Sequence, residues 1–274
     1  MSVIIISSDD HQTGQEIAAG TARAMGYGEL GRELLKEVAE RHQVAEAKLV
    51  KALDDPPSFL GMSRKLRSLF LAYIQEAVLG RLVEDNVVCQ GLAAHLYACG
   101  ISHVLRVRVL SDPEKEAQKA SNQKGKPTEA GEKEILRQKK LRRRWSMAAF
   151  GLDETDPSLY DLVINLDQID QSEAVEIITD TVGYRRFFPM TYSINCMQDL
   201  ELAARVRASM LKRFSDIRVQ ARGGTLVVET AALKRERRKR MKAIREIAGA
   251  IPGVRYVEVR VNNDIFRQAA ESFR

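Results

Sequence analysis

Four short aliphatic runs constrain this chain more than any other feature: residues 3–6 (Val-Ile-Ile-Ile), 87–89 (Val-Val-Cys), 104–110 and 162–164 (Leu-Val-Ile). Each is rich in β-branched residues and bounded by polar or turn-forming ones, so each reads as a core strand, and residues 3–6 as one buried on both faces. The third carries Arg106 and Arg108 alternating against apolar neighbours. Helical periodicity fills the gaps. Thr13-Gly14-Gln15-Glu16 opens one segment, with Ile17, Ala18, Thr21, Ala22 and Met25 on its apolar face and Gly26 where a C-cap belongs. Two more span 30–41 and 44–53. Asp54-Asp55-Pro56-Pro57-Ser58 breaks the pattern, with Ser58 as candidate cap for the next helix. Residues 64–84 then place Leu66, Leu69, Phe70, Tyr73, Ile74, Ala77, Val78 and Leu82 on one face. A charged, helix-prone stretch runs from Asp112-Pro113 to Trp145, interrupted by Lys124-Gly125-Lys126-Pro127, and a helix over 172–182 closes the unit. Strands alternating with helices specify an α/β fold: a parallel sheet with helices on both faces.

Residues 183–198 lack clear periodicity and read as a connection. Beyond them the order becomes α-β-β-α-β: helix 200–214, strands 217–221 and 226–229, helix 233–250, strand 254–261. The double glycine in Arg222-Gly223-Gly224-Thr225, between two β-forming runs, is a hairpin signal. The predicted organisation is therefore a first domain over 1–182, a linker over 183–198 and a small domain over 199–274. Charge divides unevenly between them. The whole chain has 43 Lys/Arg against 37 Asp/Glu, but residues 199–274 alone hold 18 against 9. Any argument from basicity to a polyanionic partner therefore applies to the C-terminal part. Three scattered cysteines and four dispersed histidines show neither a disulfide framework nor zinc spacing, which predicts reduced thiols in a cytoplasmic protein. No apolar stretch approaches the roughly 20 residues that span a bilayer, and the N-terminus lacks the basic region of a signal peptide.

A strand, a turn and a helix at the N-terminus form the arrangement in which backbone amides and a helix dipole hold phosphates. The full motif G-x-x-x-x-G-K-[ST] is absent. Gly14 stands where its second glycine belongs, Gln15 at the lysine position and Glu16 at the Ser/Thr position. From spacing alone, Gly14 is equally a turn residue ahead of a helix.

The residues add a family likeness. Ile5-Ile6-Ser7 through Gly14-Gln15-Glu16-Ile17-Ala18, followed by Ala24-Met25-Gly26-Tyr27, resembles the start of cytidylate-kinase-like proteins. Arg142-Arg143-Arg144-Trp145 through Asp156-Pro157-Ser158-Leu159-Tyr160-Asp161-Leu162-Val163-Ile164-Asn165 is similar to their lid and last strand. Asn86-Val87-Val88 and Gly100-Ile101-Ser102-His103-Val104-Leu105 fit as well, so the likeness covers about residues 2–182. It implies a P-loop nucleoside monophosphate kinase fold, which moves a phosphoryl group by positioning and charge neutralisation, with ATP and Mg²⁺ as cofactors if the enzyme is active. Thr13, Gly14, Gln15 and Glu16 would then form the phosphate loop. Arg137 and the lid residues Arg142, Arg143 and Arg144 would close over the transferred group, with Gln15, Arg142 and Arg143 as catalytic candidates. Arg64 and Arg67 would face the acceptor phosphate, and Asn165 would lie near the adenine. The missing lysine removes a charge that stabilises the transition state, and Glu16 adds one that repels a polyphosphate. Two readings stand side by side: a phosphotransferase, and a non-catalytic, pseudokinase-like nucleotide sensor.

In the C-terminal part, Ile217-Arg218-Val219, Gly223-Gly224-Thr225-Leu226-Val227-Val228, Ile247-Ala248 and Ile251-Pro252-Gly253-Val254-Arg255-Tyr256-Val257-Glu258-Val259 resemble a BON domain. That resemblance implies binding of a lipid, ligand or protein partner. The run Lys234 through Lys242 sits at the start of a helix, the unfavourable end for cations, so helix stability does not explain it. It predicts either a solvated basic face or an anionic partner: nucleic acid, lipid or acidic protein. The run lacks interleaved aromatic residues on which bases would stack.

Overall fold

The computed structural model describes residues 2–56, 61–111 and 128–262, without the side chains of 128–132. The chain divides into two compact units, Met1–Ser193 and Ile194–Arg274.

In the first unit, strands β1 (Val3–Ser8), β2 (Gly28–Leu30), β3 (Val87–Gln90), β4 (Val104–Leu110) and β5 (Leu162–Asn165) form one sheet in the order β2-β3-β1-β4-β5. All four pairings are parallel. Val3, Ile4, Ile5 and Ile6 are fully buried because β1 is central and covered on both faces. Each such side chain contributes about 1.5–3 kcal/mol of burial. The helices are α1 (His11–Met25), α2 (Leu34–His42), α3 (Glu46–Asp54), α4 (Arg64–Leu82), α5 (Ala94–Tyr97), α6 (Thr128–Phe150) and α7 (Gln171–Val182). On one side of the sheet, Ile17, Ala18 and Ala22 of α1 pack with Ala174, Ile178 and Val182 of α7 against Ile4, Ile6, Val88, Leu105 and Val107.

The chain runs from β1 to β2 and β3 on one side, then crosses to β4 on the other. That reversal places the topological switch point at the carboxyl end of β1, the position where open parallel sheets take ligands. The backbone beside it is strained. Gly91, Leu92 and Ala93, directly after β3, have consecutive positive φ angles of 72°, 55° and 60°. The two non-glycine residues there cost about 1–3 kcal/mol each.

Several elements depart from their predicted bounds. Strand β2 has no counterpart among the predicted elements, because Gly-Glu-Leu is short and mostly exposed. The helix predicted over 30–41 begins at Leu34. Ser58 and residues 112–127 lie outside the described residues. The cap of α4 is Ser63, whose hydroxyl accepts from the Leu66 amide at 3.3 Å.

In the second unit, α8 (Thr191–Leu211), β6 (Arg218–Arg222), β7 (Thr225–Ala231), α9 (Arg237–Gly249) and β8 (Tyr256–Asn262) follow the predicted α-β-β-α-β order. Helix α8 begins nine residues before the predicted start at 200, inside the segment read as a connection. The sheet runs β6-β7-β8, the first pair antiparallel and the second parallel. Gly223 and Gly224 close the hairpin with φ angles of 56° and 82°, the left-handed pair that a two-residue turn of this hand requires. Leu202, Val206 and Met210 of α8 and Ile244 and Ala248 of α9 cover Leu226, Val228, Val259 and Val261.

Candidate functional site

Strand β1 hands over to α1 through Asp9 and Asp10 alone. Asp10 is the N-cap: its carboxylate accepts from the amides of Thr13 at 2.9 Å and Gln12 at 3.4 Å, and from the Thr13 hydroxyl. These are the amides that a helix N-terminus would offer an anion. A side-chain carboxylate already holds them.

The predicted phosphate-loop residues Thr13, Gly14, Gln15 and Glu16 therefore form no loop; they are helical. The physical reason is the cap, which lets the helix start at His11. Gly14 has no left-handed backbone. It is needed because α1 abuts β1, and a Cβ there would stand 2.6 Å from the Ser8 Cβ. Gln15 is exposed. The Glu16 carboxylate accepts from Gln12 Nε2 at 3.0 Å and from Gln171 Nε2 of α7 at 2.9 Å, tying two helices together.

Asp9 lies at the carboxyl end of β1 with its side chain 5% exposed. It pairs with Arg108 of β4, and with Lys139 Nζ of α6 at 2.9 Å. Arg108 NH1 also donates to Ser7 Oγ at 2.8 Å. Beside this lies a second buried cluster. Glu154, 1% exposed, takes Arg142 Nε at 2.6 Å and faces His95 Nε2 at 3.8 Å. The Tyr160 hydroxyl donates to the Glu154 carbonyl at 2.8 Å, and its ring stacks on His95. Burial raises Glu154 above the usual carboxylate range, with Arg142 opposing. Burial first, then Arg142 and Arg108, lowers His95 to about 3, so its imidazole is neutral at pH 7.

Three of the four predicted lid arginines are engaged by acids, whereas Arg144 is exposed with no acidic partner among the described residues. Besides Glu154, Arg142 NH1 donates to the Leu53 carbonyl at 2.7 Å, and its guanidinium lies over Trp145. Trp145, fully buried, donates Nε1 to the Ala52 carbonyl at 2.8 Å. Arg143 pairs with Asp153 at 2.7 Å, and Arg137 with Glu134 one turn away at 3.3 Å. Asn165 ends β5, exposed, its Oδ1 accepting from the Asp167 amide at 3.2 Å.

Arg64 and Arg67 lie on the first turns of α4, but the structure separates them. Arg64 is exposed, whereas Arg67 is 5% exposed. Both terminal nitrogens of Arg67 lack a hydrogen-bond partner among the described residues. Burial pulls its guanidinium below its usual pKa, with Asp55 opposing. A buried cation in this state is costly unless an anion completes it.

Sequence reasoning missed Arg108, Lys139, Asp9 and Glu154 as one assembly. The available signal is Arg108 itself, a charge inside a run that reads as a core strand.

The model of the cytidylate kinase-like family matches residues 3–168, more than half of the sequence. The chain belongs to the cytidylate kinase-like family. A cytidylate kinase from Pyrobaculum arsenaticum is 29% identical over 109 residues, covering 39% of this chain and 58% of the relative. The match thus spans little more than half of that relative's length. Among solved structures, an uncharacterised protein from Eubacterium ventriosum superposes with a TM-score of 0.50 at 16% identity, covering 68% of this chain and all of the other. A shikimate kinase from Bacteroides thetaiotaomicron gives 0.42 at 14% identity, over 67% and 99% of the two chains.

In this cytidylate kinase-like protein the cationic residues stand around the carboxyl end of β1, but each is neutralised from within. Arg108 and Lys139 share Asp9, and Arg142 has Glu154. The end of β1 thus presents paired charges and a capped helix, while the terminal nitrogens of Arg67 have no hydrogen-bond partner among the described residues.

Proposed function

We propose that this protein binds a nucleoside monophosphate and does not transfer phosphoryl groups. The observation that carries the reading is the Asp9–Arg108–Lys139 assembly. It puts a carboxylate on the cations that would otherwise meet a polyphosphate, while Asp10 takes the amides. ATP with Mg²⁺ does not fit this arrangement. A third anion would meet two carboxylates, and Gln15 replaces the lysine that would offset them. Family membership and Arg67, whose terminal nitrogens have no hydrogen-bond partner among the described residues, support a nucleotide phosphate at α4, where a guanidinium binds an anion in bidentate fashion.

The rival reading is an ATP-dependent nucleoside monophosphate kinase. It is favoured by Arg108 and Arg142 both lying close enough to Glu154 to lower its pKa, so cations do converge there. Isothermal titration with cytidine and other nucleoside monophosphates, with and without ATP–Mg²⁺, tests both. The proposal expects monophosphate binding that Arg67→Met abolishes, and no release of ADP. ADP release that depends on the monophosphate refutes it and establishes the rival.

A further inference from the structure

The first unit ends on a surface that the kinase-like site does not use. Helix α7 stops at Val182, capped by Gly183, and a short 3₁₀ turn over Arg185–Phe187 precedes α8. The backbone of this run is tied down. The Tyr184 amide donates to the Thr181 carbonyl at 3.2 Å, and the Phe187 amide to the Tyr184 carbonyl at 2.9 Å. At the far end the Met190 amide donates to the Ser193 hydroxyl at 3.1 Å, which donates back to the Met190 carbonyl at 3.0 Å. Phe187 is the anchor, buried in the core of the unit with the Arg186 guanidinium over its ring.

The neighbours of that anchor face water. Tyr184, Phe188, Met190 and Tyr192 are between 50% and 77% exposed, four large apolar side chains within nine residues. An aromatic side chain carries about 150–250 Å² of surface, so the three rings alone leave on the order of 300–500 Å² uncovered. Single exposed apolar residues need no explanation, but this concentration on a fixed backbone marks an interaction surface.

Charge decides what covers it. Glu176 and Asp180 lie one turn apart on the exposed face of α7, just before the run, and Arg185 lies inside it. None of these three has a charged partner among the described residues. The order along the chain is therefore acidic, aromatic, basic, aromatic. The carboxylates would repel an anionic bilayer or a nucleic acid. A surface that carries both signs unpaired beside apolar rings complements a second copy of itself, as a twofold interface requires. Tyrosine and arginine are also the side chains that anchor protein contacts.

We propose that residues 176–192 form the contact between two copies of this chain related by a twofold axis. Tyr184 and Phe188 of the two copies pack at the centre, and Glu176 and Asp180 of each copy meet Arg185 and Arg186 of the other. The uncovered aromatic area is below the roughly 800 Å² per partner of a standard stable interface, so the dimer is dissociable. This contact is independent of Arg67 and stands or falls apart from the proposed nucleotide function.

Sedimentation equilibrium of the full chain, loaded from about 1 to about 200 μM, covers the affinities of a small interface. The mass rises with concentration toward that of two chains. The double variant Tyr184→Ser, Phe188→Ser weakens association at least about tenfold. So do an acidic variant, Arg185→Glu with Arg186→Glu, and a basic variant, Glu176→Lys with Asp180→Lys, both keeping the wild-type circular dichroism spectrum. An equimolar mixture of the acidic and basic variants recovers association, because every contact across the axis again pairs an acid with a base. The proposal is overturned by any of four results: a monomer at the highest concentration, charge variants that associate like the wild type, a mixture that does not recover, or binding to phosphatidylcholine vesicles in place of self-association.

Discussion

Replacing Asp9 with Asn tests whether the carboxylate organises the end of β1. The variant keeps the side-chain size and removes one negative charge from between two cations. Asp9 is 5% exposed, and Arg108, the nearer partner, is 10% exposed. Removing one member of a buried pair costs about 3–5 kcal/mol because the other charge is left buried. Lys139 is 31% exposed, so its share is the small one of a surface pair, about 0–1 kcal/mol. Arg108 keeps its bond to Ser7 Oγ, and the Asn carbonyl can still accept from it, which places the expected loss near the lower end, about 3 kcal/mol. For a unit of this size that is a fall in melting temperature of about 6–12 °C. Urea unfolding followed by far-ultraviolet circular dichroism measures the loss directly. Inorganic phosphate should stabilise Asp9→Asn more than it does the wild type, because the variant offers unpaired cations at the end of β1 in addition to Arg67. A loss under about 1 kcal/mol, with no phosphate effect beyond that on the wild type, would refute the reasoning.

Stability should fall on acidification below neutrality. The His95 pKa is depressed to about 3 in the folded protein against 6.5 for the free imidazole, so the unfolded chain binds the extra proton as pH drops through 6.5. The slope is about 1.4 kcal/mol per pH unit, or about 2 kcal/mol lost by pH 5. Glu154, whose pKa is raised, works in the opposite sense, gaining folded stability as pH falls through its raised value. His95→Gln should flatten the curve from 6.5 to 5 in pH-dependent urea titrations; an unchanged slope counts against the assignment. Gly14→Ala should cost about 1–3 kcal/mol through the clash with Ser8, read as a lowered urea midpoint, whereas a flexible loop would tolerate it. Arg67→Met should match or exceed the wild type in thermal melts, by up to about 3 kcal/mol, because it removes a buried charge whose terminal nitrogens have no hydrogen-bond partner among the described residues. A large destabilisation would show that Arg67 already has a structural counter-ion.

The aliphatic runs are legible because each concentrates β-branched residues, most completely in fully buried Val3–Ile6, and legibility survives Arg106 and Arg108 in the third run and the 42% exposure of Val163 in the fourth. Short, half-polar β2 and four-residue α5 carry no such signature. The start of α8 is hidden because Tyr192 and Ile194 are exposed, so the apolar residues of its first turns mark no buried face. The turn after β1 misleads for a different reason. Matching Gly14 to a phosphate-loop glycine presumes a long loop, whereas Asp10 with Thr13 three residues on is a helix-cap pattern that ends the loop after two residues. The charge assembly shows in the sequence only through Arg108. Asp9, Arg108, Lys139 and Glu154 come from separate elements, and only the parallel register of β1 and β4 brings Arg108 beside Ser7.

The enclosure of Trp145 has a consequence for motion. Helix α6 is moored to the end of α3 by the bond from this indole to Ala52 and by the bond from the overlying Arg142 to the Leu53 carbonyl. Pulling it free would cost about 3 kcal/mol or more, so the seated arrangement outnumbers the released one by over a hundredfold until something supplies that difference. As the sole tryptophan of the chain, it also reports its own release, since its emission shifts to longer wavelength when water reaches the ring.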